Sequence, residues 1–429
     1  MTSIWVSDVF ALEVLDSRGR PTVRVRLVLE GGAVGTAGVP SGASTGAGEA
    51  VERRDGDDGR YGGRGVTAAV AAVNGQIRDH LSGRRWGSAG DVDRALIELD
   101  GTPGKSRLGA NAIVGVSMAL VRALADLGGL PLYRDLATDP DAMRLPVPHF
   151  NVLNGGAHAA NPLDFQEFMI APLGAPSLPE AVRAGAEVYA ALRQRLADAG
   201  HTTGLGDEGG FAPALTRPED ALDLLVAAIA DAGYRPGRDG VAIALDPAAS
   251  RFRLYDGRYR VAGVTLTASE LIDRYTAMIA AYPIWSIEDG LGEDDDAGWA
   301  EITERLGGAV QLVGDDNFVT NPEIIAAAID KGIANAALIK VNQIGTVTET
   351  LAAIELCRTR GYGQMISHRS GETTDAFIAD LAVACGCGQL KSGAPARGER
   401  VTKYNRLLEI AAAEPSLPYG LPDPARERA

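Results

Sequence analysis

The sequence predicts two parts: an α+β domain over residues 1–138, then an α/β barrel of the (β/α)8 kind over residues 139–429. Three observations carry this. An early run of alternating apolar and charged residues is followed by helical stretches, a Pro-rich passage then breaks the pattern, and beyond it six apolar runs each end in a charged group.

In the first part, TVRVRLVL at residues 22–29 alternates Val23, Val25, Leu27 and Leu29 with Arg24 and Arg26 before Gly31-Gly32. That is the pattern of a half-buried antiparallel strand entering a hairpin. Apolar periodicity then predicts helices over 66–81, 91–99 and 110–127. DPDAMRLPVPHF at 139–150, with Pro140, Pro146 and Pro148, reads as a linker or domain entry.

Beyond it the apolar runs end at Asp246, Glu288, Asp315, Lys340, His368-Arg369 and Lys391. From Glu288 onward the steps are 315 − 288 = 27, 340 − 315 = 25, 368 − 340 = 28 and 391 − 368 = 23 residues. Each step has room for one βα unit, and alternating units imply parallel strands whose carboxyl ends converge on one face of a barrel.

Composition narrows the function. Lys plus Arg number 41 and Asp plus Glu 56, so the formal charge is 41 − 56 = −15, which disfavours nucleic acid and anionic lipid as partners. No long uninterrupted apolar run of membrane-spanning kind stands out, and the N-terminus lacks the basic, apolar, small-residue order of a secretory signal. A cytoplasmic protein is the expectation. Cys357, Cys385 and Cys387 cannot build a disulfide framework and read as buried reduced thiols rather than metal ligands.

The strand ends carry the chemistry. Asp246, Glu288 and Asp315 would place three carboxylates together, a hard-oxygen set suited to Mg²⁺. Lys340 would be desolvated and crowded by other cations, both of which lower an amine's pKa and would leave it able to take a proton. Arg369 offers a planar fork for phosphate, and Ser370 adds a hydroxyl and an N–H near the start of a following helix, so SHRSG reads as an anion clamp. GLGDEGG at 204–210 satisfies G-x-G-x-x-G, but no strand precedes it, Pro213 interrupts the helix that should follow, and Asp207 and Glu208 would repel a pyrophosphate. A Gly-rich turn presenting Glu208 remains. NGGAHAANPLDFQEFM at 154–169 offers His158, Gln166 and Glu167 without fixing a role for them.

Longer motifs go further. LDSRG at 15–19, PSGASTG at 40–46, LGANAIVGVS at 108–117, GLGDEGGFAP at 204–213, SIEDG at 286–290, KVNQIGT at 340–346, SHRSGET at 367–373 and KSGAPARGER at 391–400 make the chain resemble the enolases over nearly its whole length. The resemblance implies an enolase-type barrel capped by the first domain with a mobile lid loop, and dehydration of 2-phosphoglycerate to phosphoenolpyruvate. It also implies two Mg²⁺ ions, one held by Asp246, Glu288 and Asp315, the other aided by Ser44. Lys340 would be the base, and Glu208, assisted by Glu167, the acid. His158, Gln166, His368, Arg369, Ser370 and Lys391 would surround the substrate's phosphate and carboxylate. A homodimer or larger homo-oligomer is the family expectation.

The catalytic positions match while some neighbours depart. Arg20 stands where the family has Asn, Ala47-Gly48 replace bulkier lid residues, Gly290 replaces a Pro, Asn317 an apolar residue and Thr374 an acid. Two other readings therefore stay open: a paralogue of phosphonate metabolism similar to carboxyphosphonoenolpyruvate synthase, and a noncatalytic enolase-like binding protein.

Overall fold

The computed structural model describes residues 3–42 and 46–422; Ser44 lies outside the described residues. In the first domain β1 (Ile4–Leu15), β2 (Pro21–Leu29) and β3 (Val34–Gly38) form an antiparallel sheet, and the short β4 (Arg85–Trp86) pairs with the other edge of β1. β2 buries Val23, Val25, Leu27 and Leu29 and exposes Arg24 and Arg26, as the alternation predicts.

Helix Ala110–Gly128 covers this sheet. It comes close because β3 offers Gly35 beneath it; a Cβ there would sit 1.8 Å from the Ala119 carbonyl oxygen. By length and composition this helix could cross a membrane, which the sequence reading did not register, yet 78% of its most apolar window is buried inside the protein. Its apolar surface is core, each fully buried Val or Leu contributing about 1.5–3 kcal/mol. The helix expected over 66–81 forms with a wider turn at Val73–Ile77, where Asn74 exchanges two hydrogen bonds with the backbone of Ala11 in β1.

The second domain is a closed eight-stranded barrel. Its first three strands in the chain are β5 (Val147–Asn154), β6 (Glu167–Ala171) and β7 (Ala242–Asp246). A small hairpin, β8 (Tyr259–Val261) and β9 (Val264–Leu266), stands apart. The barrel continues with β10 (Ile284–Glu288), β11 (Gln311–Gly314), β12 (Ala336–Ile339), β13 (Gly363–Ser367) and β14 (Gln389–Lys391), and β14 pairs with β5 to close it.

Two details differ from the sequence expectation. The Pro-rich passage is only partly a connector, since β5 begins within it at Val147. The barrel is also not uniformly parallel: β6 is antiparallel to both neighbours, because the β5–β6 connection carries only a short helical turn at Gly156–His158 and cannot make a parallel crossover. Reversal has a consequence for function. Glu167, the first residue of β6, pairs in register with Asp246, the last residue of β7, so both reach the same barrel mouth.

The first domain is fastened across this mouth. Arg122 of helix Ala110–Gly128 holds Asp375 with two bonds of 2.6 and 2.7 Å, and Asp375 also accepts from the amides of Gly38 and Phe377. Burial alone would raise the Asp375 carboxyl pKa, but Arg122 and the two amides outweigh it and lower it. Such a group stabilises fully above its unfolded pKa of about 4, and its contribution is lost as pH falls through the lower folded value. Arg122→Ala should cost about 3 kcal/mol. In urea unfolding, the stability gap between wild type and Asp375→Asn should be constant from about pH 6 to 8 and shrink below about pH 4; a gap independent of pH would remove this pair as the fastening.

Candidate active site

Each charged strand end reaches the mouth. Asp246, Glu288 and Lys391 are the last residues of β7, β10 and β14, while Asp315, Lys340 and His368 each follow the last residue of β11, β12 and β13. One cavity is lined by His158, Gln166, Glu167, Glu208, Asp246, Asp315, Lys340, Ser367, His368, Arg369, Ser370 and Lys391. Glu288 joins them through Lys391. The Gly-rich turn does present Glu208: Gly206 donates to the Gly210 carbonyl, and Gly209 holds φ +87°, where a side chain would be strained.

Charge organises the cavity. The Lys391 ammonium donates to both oxygens of Glu288 at 2.7 and 2.8 Å and lies 3.4 Å from Glu167 and 3.9 Å from Asp246. Burial would drive this lysine towards neutrality, but Glu167, Glu288 and Asp246 outweigh it and hold it charged, well above its ordinary pKa. Burial pushes Glu288 the other way, up to about 8, with Lys391 opposing and Asp246 and Asp315 adding repulsion.

Lys340 departs from expectation. Its ammonium lies 2.5 Å from Asp315, and although burial and the cations Arg369 and Lys391 push its pKa down, the carboxylate wins and raises it. The sequence reading weighed desolvation and neighbouring cations but not a directly bonded carboxylate.

Across the cavity, two carboxyls are driven apart. Burial pushes Glu167 well above the usual carboxylate range, reinforced by Glu208. Burial also pushes Glu208 up, yet His368, His158 and Arg400 outweigh it and hold Glu208 well below that range. Asn151 donates to Glu208 Oε2 at 2.9 Å. The surroundings favour the protonated form of Glu167 and the ionised form of Glu208, the separation of pKa values that acid–base work requires. His158 bridges the pair, with Nδ1 3.6 Å from Glu167 and Nε2 3.8 Å from Glu208, and burial lowers its pKa.

The expected anion clamp is assembled differently from the sequence reading. Arg369 grips Glu49 of the first domain at 3.0 and 3.1 Å and donates to Asn342. Ser370 Oγ accepts from Arg18 at 3.1 Å. The following helix starts only at Phe377, so its N-terminus is not what Ser370 offers; the local donors are the Arg369 and Arg18 guanidiniums.

For a metal, the donor chemistry fits. Asp246, Glu288 and Asp315 supply hard oxygens, and Glu288 is raised first by burial and then by repulsion from Asp246 and Asp315, which a bound cation would relieve. The three do not form one of the tight sets, however. Among the described residues, groups with ligand atoms within 4.8 Å of one another are His158–Glu167–Glu208 and Asp289–Asp315–Asp316. Lys391 engages Glu288, and Lys340 engages Asp315.

Sequence reasoning missed Asn151, Glu49, Arg18, Gln343 and Arg400. Gln343 donates to Asp315 Oδ1 at 2.9 Å and lies in KVNQIGT; Arg400 closes KSGAPARGER. Asn151, inside β5, carries no signal beyond being a polar residue in an apolar strand.

The charge balance is testable. Glu288 binds its proton more tightly folded than unfolded, so its ionisation costs stability increasingly from about pH 4 upward, towards its folded value of about 8. Lys391→Met, unfolded by urea in the presence of chelator, should lose about 3–5 kcal/mol at pH 8 and progressively less as pH falls. A loss that does not vary with pH would contradict the assignment.

Comparison with known proteins places this geometry. The family models described as "Enolase, N-terminal domain" and "Enolase, C-terminal TIM barrel domain" match residues 6–136 and 142–416. The chain is 59% identical over 405 residues to an enolase of Acidothermus cellulolyticus, covering 94% of each chain. It is 57% identical over 401 residues to an enolase of Rubrobacter xylanophilus, covering 93% of this chain and 92% of that one. The chain belongs to the enolase family, as a carbon–oxygen lyase of the phosphopyruvate hydratase type.

Proposed function

We propose that the chain converts 2-phosphoglycerate reversibly to phosphoenolpyruvate with Mg²⁺, and that the residues named from the sequence perform the steps. The observation that carries this is the cavity in which Lys340 and the Glu167–Glu208 pair share one lining with Arg369, Ser370, His368 and Lys391. A base, a split carboxyl pair and cationic groups for phosphate and carboxylate are what the elimination needs.

Lys340 takes the proton next to the substrate carboxylate. For this it must first surrender its own proton, which its bond to Asp315 resists. Asp246, Glu288 and Asp315 would hold the first of two Mg²⁺ ions, and Ser44 would help to hold the second. Bound Mg²⁺ supplies positive charge for the substrate carboxylate and for the dianion formed on proton loss. Drawing Asp315 towards a cation would also remove what raises Lys340, leaving burial to lower it.

Glu208 delivers a proton to the departing hydroxide, and the pKa separation makes Glu167, within 4.8 Å, its store. His158 stands between them. Gln166 donates to Asp246 at 3.1 Å, and its own Oε1 is buried without a partner, an acceptor turned towards substrate. Arg369 must exchange Glu49 for phosphate, so the first domain has to shift its carboxylate when substrate enters.

The reading also covers setting. A cytoplasmic homo-oligomer is proposed, with Phe10, Leu12 and Leu15 of β1, exposed by 46, 42 and 57%, as candidates for subunit contact. Purified protein should form phosphoenolpyruvate from 2-phosphoglycerate with Mg²⁺ and stop on chelation. Glu208→Gln should lower kcat by roughly 10²–10⁴-fold with KM little changed. A folded protein that binds Mg²⁺ yet gives no product would defeat the reading.

A further inference from the structure

Arg400 is fully buried on helix Gly398–Ala413. Its guanidinium donates to the carbonyl oxygens of Arg369 at 2.6 Å, Ser370 at 2.5 Å and Asp207 at 3.1 Å, and to Ser17 Oγ at 3.4 Å. These partners lie on the loop of the anion clamp, the Gly-rich turn that carries Glu208, and the first domain. One contact differs in kind: Nη1 lies 2.6 Å from His368 Nδ1.

Arginine has five donors and no acceptor, so a nitrogen bonded to it must offer a lone pair. Nδ1 of His368 is therefore unprotonated, and the ring proton sits on Nε2. That nitrogen lies 3.3 Å from Glu208 Oε2. We propose that Arg400 is a positioning residue that locks His368 in the Nε2–H tautomer, so that an N–H donor and never a lone pair faces Glu208.

The consequence falls on Glu208. Oε2 accepts from Asn151 Nδ2–H at 2.9 Å and has His368 Nε2 3.3 Å away, close but not aligned as a hydrogen bond in this structure, so both neighbours favour its negative charge. Proton traffic is left to Oε1, the oxygen 3.8 Å from His158 Nε2. Burial and Arg400 also keep the His368 ring neutral, with a pKa of about 3. The inference rests on Glu208 as the acid, but the tautomer itself can be read without turnover.

With ¹⁵N-histidine in the full chain, long-range ¹H–¹⁵N correlations report each ring's tautomer, and only five histidines need sorting. His368→Gln assigns the signal. Wild type near pH 7.5 should show His368 as a single neutral Nε2–H form; an Nδ1–H form, an averaged signal or an imidazolium would overturn the inference. Arg400→Lys, which can still donate to Nδ1, should keep that tautomer and lose about tenfold in kcat, whereas Arg400→Met should admit the Nδ1–H form and lose roughly a hundredfold or more, with KM within about threefold in both. Equal losses with the tautomer unchanged would make Arg400 merely structural and sink the proposal. Should Arg400→Met fail to fold, the wild-type spectrum decides alone. Phosphoenolpyruvate formation by the same sample separates the two claims: an averaged tautomer in an active enzyme defeats the inference, and a locked tautomer in an inactive one defeats the functional reading.

Discussion

The site depends on the ammonium of Lys391. It sits at the end of β14 among Glu167, Asp246 and Glu288, and no water-like dielectric is there to separate these charges. Removing one partner of a buried ion pair leaves an uncompensated charge and costs far more than the pair contributes, so the lysine and the carboxylates hold one another in place. The strain of this crowding has a use. Burial, with repulsion among the carboxylates, pushes Glu288 to about 8 and Glu167 well upward, while Glu208, facing His368, His158 and the charge of Arg400 and accepting from Asn151, is held well below the usual carboxylate range.

Topology brings these groups together. Parallel strands deliver Asp246, Glu288, Asp315, Lys340, His368 and Lys391 to one face, and reversal of β6 brings Glu167 to that face from a strand's beginning rather than its end. The first domain then completes the mouth, Glu49 answering Arg369 and Arg18 answering Ser370. Arg400 ties the loop of Arg369 and Ser370 to the turn that presents Glu208, coupling the positions of the two segments.

Much of this was legible in the chain because apolar runs that end in charge are a physical signature of barrel strands, and six of them stood out. β5 was hidden because Pro146 and Pro148 read as a connector, and β6 because its functional residue precedes its apolar run. The direction of the Lys340 shift was misjudged because a strand end reveals burial but not which carboxylate from another strand will meet it. Asn151, Glu49 and Arg400 act through contacts spanning 57, 320 and 32 residues of sequence, distances at which local pattern carries no information. Ser44 lies outside the described residues, so its expected role beside a second Mg²⁺ rests on the family resemblance.

The most direct measurement is exchange of the C2 hydrogen of 2-phosphoglycerate with D₂O, followed by NMR with Mg²⁺ present. If Lys340 is the base and Glu208 the acid, Glu208→Gln should still exchange that hydrogen while forming almost no phosphoenolpyruvate, and Lys340→Ala should do neither. Exchange that persists in folded Lys340→Ala would contradict the division of labour on which the proposed mechanism rests.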